Sequence, residues 1–272
     1  MTELRIPISC HPTAGMSCGR EIVKAGELLA ARGIVRKLRS LELPAMLTDL
    51  YYRQLLTLQA AIFALDYFGE ENWSIDPVIL RDRWAKIEAA AACFNGDAAA
   101  GLQMIRTYQS FEMNMRRGKP VATIPIQRFY NFKPCDVYLM EDLLMKIGLR
   151  ERVHKPIACG SHVLNVLDEI RDDLDDLEED VFTFNGNRLS SMCSMYGWKE
   201  TVGEYSYFIS KIIQCAREKF VLNRGEGGQA FWKGIIEAGT SLINELNSRD
   251  TLELLRFTQS RLSRSATPHL TA

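Results

Sequence analysis

The residues best suited to chemistry lie between His162 and Asp180, in the run HVLNVLDEIRDDLDDLEED. Its apolar members Val163, Val166, Leu167, Ile170, Leu174 and Leu177, with Val181 just beyond, recur at three- and four-residue spacing. That spacing predicts one stripe of an amphipathic helix. Projected at about 100° per residue, Glu169, Asp172, Asp173, Asp176 and Asp180 fall in a sector beside the stripe. Asp172 and Asp176 stand one turn apart, so two carboxylate oxygens can meet one hard cation. Acids this dense repel one another along a bare helix, and Mg²⁺ would relieve the repulsion. Mg²⁺ prefers oxygen ligands, keeps several waters and binds through one or two carboxylates plus substrate phosphates. The competing reading is a solvated acidic face, because Asp168, Asp175, Glu178 and Glu179 carry acid around the rest of the polar surface. The glycine and alternating ligands of an EF-hand loop are missing, which excludes that kind of Ca²⁺ site.

The elements that must hold this helix are also helical. Segments 20–40, 45–68 and 77–95 repeat apolar residues at helical spacing, and Asp76-Pro77 reads as an N-cap followed by proline in the first turn. Further helical patterns cover 97–115, 134–147, 157–181, 200–221, 228–246 and 249–264. Only VATIPI at 121–126 reads as extended, and Pro125 interrupts it. The expected organisation is an N-terminal segment 1–19, a helical domain 20–264 and a flexible tail 265–272.

Composition narrows the function classes. The chain has 272 residues, 47% hydrophobic and 25% charged, which is enough to bury a large core without disulfides. With 33 basic and 34 acidic side chains the net charge is -1, so no global basic excess points to nucleic acid. Its 7 cysteines form no CxxC pair and no zinc-finger spacing, and read as reduced thiols. The N-terminus lacks the apolar core of a signal peptide, and no apolar stretch is long enough to cross a bilayer. A cytoplasmic location is the expectation.

Asp172-Asp173-Leu174-Asp175-Asp176 satisfies DDxxD, with Asp180 four residues on and Ile170-Arg171 ahead of it. This stretch resembles the second aspartate-rich motif of the trans-prenyl diphosphate synthases, relatives of the class I terpene synthases. Glu169 stands where that family commonly has glutamine. Upstream, FYNFKPCDVYLMEDLL at 129–144 is similar to the family's Tyr…Lys helix, which makes Lys133 the counterpart of its diphosphate-contacting lysine. The counterpart of the first aspartate motif is Asp66-Tyr67-Phe68-Gly69-Glu70, with Tyr67 in place of the second acid. The resemblance covers roughly residues 45–200.

The resemblance implies an all-α, single-domain bundle of isoprenoid-synthase type around a central cavity. It implies Mg²⁺ held by Asp172, Asp173, Asp176, Asp180 and Glu169 on one wall and by Asp66 and Glu70 on the other. Lys133, Arg116, Arg117, Arg171, Arg188 and Lys199 would face the diphosphate, and Phe63, Tyr67, Phe129 and Tyr130 the cavity. The implied activity is that of a class I terpene synthase acting on an allylic prenyl diphosphate, a small-molecule partner. Prenyl transfer and a non-catalytic subunit of the same fold remain as alternatives. Helical cores of this kind often pair, so a homodimer is allowed for.

Overall fold

The computed structural model describes residues 19–72, 75–117, 119–153, 162–177, 180, 186–222 and 226–249. These residues form eleven α-helices and no strand: α1 (Gly19–Ala31), α2 (Ile34–Ser40), α3 (Ala45–Glu71), α4 (Pro77–Ala91), α5 (Ala99–Arg116), α6 (Ile126–Phe132), α7 (Cys135–Arg150), α8 (His162–Asp175), α9 (Arg188–Tyr196), α10 (Trp198–Leu222) and α11 (Glu226–Ser248). The all-α class expected from periodicity is therefore what the described residues adopt. No helix among them is long and apolar enough to cross a membrane. The chain divides into two compact units, residues 1–105 with 136–159 and residues 106–135 with 160–272.

In the first unit, α3 packs against α1, α2 and α4. Leu29, Ile34, Leu38, Leu55, Leu58 and Ile87 are fully buried there. The pattern over 20–40 is broken at Gly33, whose φ of 69° places it in the left-handed region that glycine enters without strain. The expected cap at Asp76 is present: its side chain accepts from the Val78 N–H at 2.7 Å, with Pro77 leading α4. Charge is neutralised in pairs inside this unit. Asp136 accepts from Arg32 and, at 3.0 Å, from Gln59, while Lys37 meets Glu141 and Tyr51 donates to Glu151.

The second unit is built on α10 and α11 packed side by side, with α8 against α11, α9 and α6. The apolar stripe of α8 (Val166, Leu167, Ile170 and Leu174) enters one core with Phe129, Tyr130, Leu189, Tyr205, Ile209 and Ile235. One expectation is corrected here. The run at 121–126 is not extended: Val121–Thr123 forms a 3₁₀ turn and α6 begins at Ile126. Pro120 and Pro125, both at φ and ψ suited to preceding a helix, start those two elements, and this overrides the β-branched composition. The short helix α9 was not anticipated, although Asn187 caps it by accepting from the Ser190 N–H. The expected 249–264 helix lies outside the described residues beyond Arg249.

Candidate functional site

The acidic sector of α8 does not behave as one surface. Asp172 and Asp176 are exposed, whereas Asp173 is 1% exposed and Asp180 is buried. Helical hydrogen bonding runs past the end of α8, with Asp176 N–H to Asp172 O at 2.9 Å and Asp180 N–H to Asp176 O at 2.8 Å. The one-turn stacking of Asp172 and Asp176 inferred from spacing is thus retained.

The split arises from what faces each carboxylate. Tyr130 and Lys133 lie three residues apart at the end of α6, hence on one side of it, and both reach Asp173. Tyr130 donates to Oδ2 and Lys133 to Oδ1, and Lys133 also lies 3.5 Å from Glu169. The Tyr130 hydroxyl further meets that of Tyr205 at 2.9 Å, the rings packed edge to face. Burial favours the neutral amine of Lys133, but the charges of Asp173 and Glu169 outweigh it and push its pKa up. Burial, with Asp173 beside it, likewise pushes the Tyr130 phenol up, so it stays a protonated donor. The result is an ion pair inside the core with each Asp173 oxygen accepting one hydrogen bond, although burial, partly offset by Lys133 and Tyr130, still holds the Asp173 carboxyl above its ordinary value.

Two residues that the sequence reading did not connect to the acids complete the arrangement. Asn187 donates to the Asp173 backbone carbonyl at 2.7 Å and to the Asp180 carboxylate at 2.8 Å. One amide therefore caps α9 and ties the end of the acidic run to α8. Arg188 is 2% exposed, donates to the Ile124 carbonyl at 2.9 Å and pairs with Glu204 at 2.7 Å, its guanidinium 5.7 Å from the Tyr205 ring centroid. Asn187, an N-cap residue type two positions ahead of Leu189, is the signal that could have located the first of these.

The other expected site residues divide by unit. In the second unit Arg171 pairs with Glu245 at 3.7 Å, and Arg117 and Lys199 are exposed. The Arg116 side chain lies outside the described residues. Phe129 and Tyr130 are fully buried core rings, 5.1 Å apart between centroids. In the first unit Asp66 is exposed and Glu70 half-buried, one turn apart on α3. Phe63 stacks on Tyr67 there at 6.0 Å, with the Arg20 guanidinium 4.9 Å from the Tyr67 ring.

The second unit also holds an apolar groove of about 530 Å³, lined by Val163 of α8, Ile126 of α6, Phe208, Ile212 and Ala216 of α10 and Trp232 of α11. Lys211 and Glu204 supply its charges. Among the described residues no three His, Cys, Asp or Glu side chains are grouped closely enough to hold a metal on their own. Fold and site together define an all-α protein with an acid-ended amphipathic helix clamped by a buried lysine and tyrosine. Compared with protein-family models, curated proteins and solved structures, the chain has no match.

Proposed function

We propose that the chain is a Mg²⁺-dependent class I terpene synthase that ionises an allylic prenyl diphosphate and cyclises or rearranges the resulting cation. The observation that carries this reading is the pair Asp172 and Asp176, exposed one turn apart where α8 is fixed by Lys133, Tyr130 and Asn187. A site of two carboxylates fits a cation that takes its remaining ligands from water and substrate phosphate. Mg²⁺, when bound, supplies charge neutralisation at the departing diphosphate. The chain's own part is to present the two acids on a rigid helix end and to set Arg171, Arg117 and Lys199 as cations for phosphate oxygens. The groove beside the start of α8 offers an apolar wall for a hydrocarbon chain.

One observation favours a different reading, that of a non-catalytic member of the same fold. Tyr67 replaces an acid in the first motif, and Asp173 is already saturated by Lys133 and Tyr130. Incubation with geranyl, farnesyl and geranylgeranyl diphosphates, with and without isopentenyl diphosphate, separates the readings. Cyclic or rearranged hydrocarbons by gas chromatography support the synthase. Longer prenyl diphosphates would make the chain a transferase. Loss of neither substrate nor diphosphate with any of them would favour the non-catalytic form.

A further inference from the structure

We propose that the second unit binds a fatty acid anion, its carboxylate on Arg188 and its chain along the apolar groove, with the Glu204 carboxylate as the internal group it displaces. Neither metal nor diphosphate enters such binding, which stands whether or not the chain is a synthase. Arg188 borders a recess of about 420 Å³ together with Thr123, Met192, Tyr196, Glu200 and Glu204. Pro125 and Glu204 line both this recess and the apolar groove, so the two adjoin there.

The guanidinium is incompletely used. Nε donates to the Ile124 carbonyl at 2.9 Å, and Nη2 donates to one Glu204 oxygen at 2.7 Å and to the Ala122 carbonyl at 3.5 Å. Nη1 is buried and has no hydrogen-bond partner among the described residues. A buried donor left unpaired carries its full desolvation cost. A carboxylate matches two parallel N–H groups of a guanidinium. One that accepts from both Nη1 and Nη2 therefore gains a bond that Glu204, held through Nη2 alone, does not make. The Glu204 side chain is 35% exposed against 2% for Arg188, so it can turn to water while Arg188 stays in place. The exchange replaces one carboxylate by another and leaves the buried charge paired. Glu200 is exposed, so water and salt screen its repulsion of an arriving anion.

Beyond Glu204 the groove follows α10. Phe208, Ile212 and Ala216 recur every fourth residue and form one row, which from Glu204 extends about 18 Å along the helix axis. Val163 of α8 and Trp232 of α11 line it from neighbouring helices. Lys211 is the other charged residue lining the groove, and it is positive like Arg188. A narrow apolar row with a cation at its end suits one unbranched chain with an anionic head.

The test is calorimetric titration of the full chain, free of Mg²⁺, with laurate below its micellar concentration, beside octanoate and dodecanol. Laurate should bind at least about tenfold tighter than dodecanol, whose hydroxyl brings no charge to Arg188. It should also bind tighter than octanoate, because each further buried CH₂ adds affinity. Cys215 is exposed and lines the groove, so bound laurate should slow its alkylation by iodoacetamide several-fold, read by mass spectrometry, with Cys93 of the first unit unchanged. Arg188→Met should lose the preference for laurate over dodecanol. Because that change empties a buried position and can fail to fold, Glu204→Gln provides a second test at a half-exposed one. With the competing carboxylate gone, Glu204→Gln should bind laurate several-fold tighter than the native chain, which a purely structural ion pair would not produce. No laurate binding by the native chain, equal affinity for laurate and dodecanol, or Cys215 alkylation indifferent to laurate overturns the site. So does unchanged or weaker binding in Glu204→Gln, or a folded Arg188→Met that keeps the preference.

Discussion

Asp172 and Asp173 are neighbours in one motif, yet they should respond very differently to the same substitution. Asp173 has no exposed side-chain surface and accepts from Lys133 and Tyr130. Asp173→Asn keeps the shape but removes the charge, and strands an almost buried ammonium. Breaking a buried pair by removing one partner costs about 3–5 kcal/mol. Glu169, 3.5 Å from the same ammonium, retains part of the attraction, which favours the lower end, near about 3 kcal/mol. Asp172 is exposed, so Asp172→Asn should fall within about 0.5 kcal/mol of the native chain. Urea unfolding followed by far-UV circular dichroism in EDTA measures both. Adding Lys133→Met to Asp173→Asn should cost less than the two single changes summed, by about 1 kcal/mol or more. Equal effects at 172 and 173, or a cost below about 1 kcal/mol for Asp173→Asn, would refute the assignment of Asp173 to the buried clamp.

Much of this architecture was legible in the sequence, and the failures have physical causes. The stripe from Val163 to Leu177 named the buried face of α8 because helical periodicity records burial directly. It could not separate Asp172 from Asp173. Their projections both adjoin the stripe, and only the arrival of Tyr130 and Lys133 from α6 decides which one is covered. Asn187 went unassigned, and Arg188, expected to face the diphosphate, is buried against Ile124 and Glu204, because partners on other elements leave no local pattern. The run at 121–126 departs from the extended expectation because Pro120 and Pro125 start the turn at Val121–Thr123 and α6.

Two further outcomes follow from the packing and the charges. A Cβ on Gly101 would lie 2.6 Å from Leu139 Cδ1 and 2.9 Å from its Cβ, so Gly101→Ala should destabilise by about 1–2 kcal/mol despite the better helix propensity of alanine. Gly203 has nothing within 4 Å, and Gly203→Ala should stabilise by up to about 1 kcal/mol, so opposite shifts in the urea midpoint are expected. Burial pushes the Asp136 carboxyl up, but Arg32 and Gln59 outweigh it and hold its pKa below the ordinary aspartate value. A carboxyl held low when folded contributes stability above its unfolded pKa of about 3.9 and loses it as pH falls further. Native protein should therefore lose stability more steeply than Arg32→Met below about pH 4, measured by thermal melts across an acid series.

Under the proposed function, Asp172 and Asp176 hold Mg²⁺ for the departure of a prenyl diphosphate. Inorganic diphosphate release from geranyl, farnesyl and geranylgeranyl diphosphates tests it most directly, with Mg²⁺ present and then chelated by EDTA. Release should require Mg²⁺ and fall by about a hundredfold or more in Asp172→Asn and Asp176→Asn. No release from any chain length, or release indifferent to EDTA and to both substitutions, would contradict it.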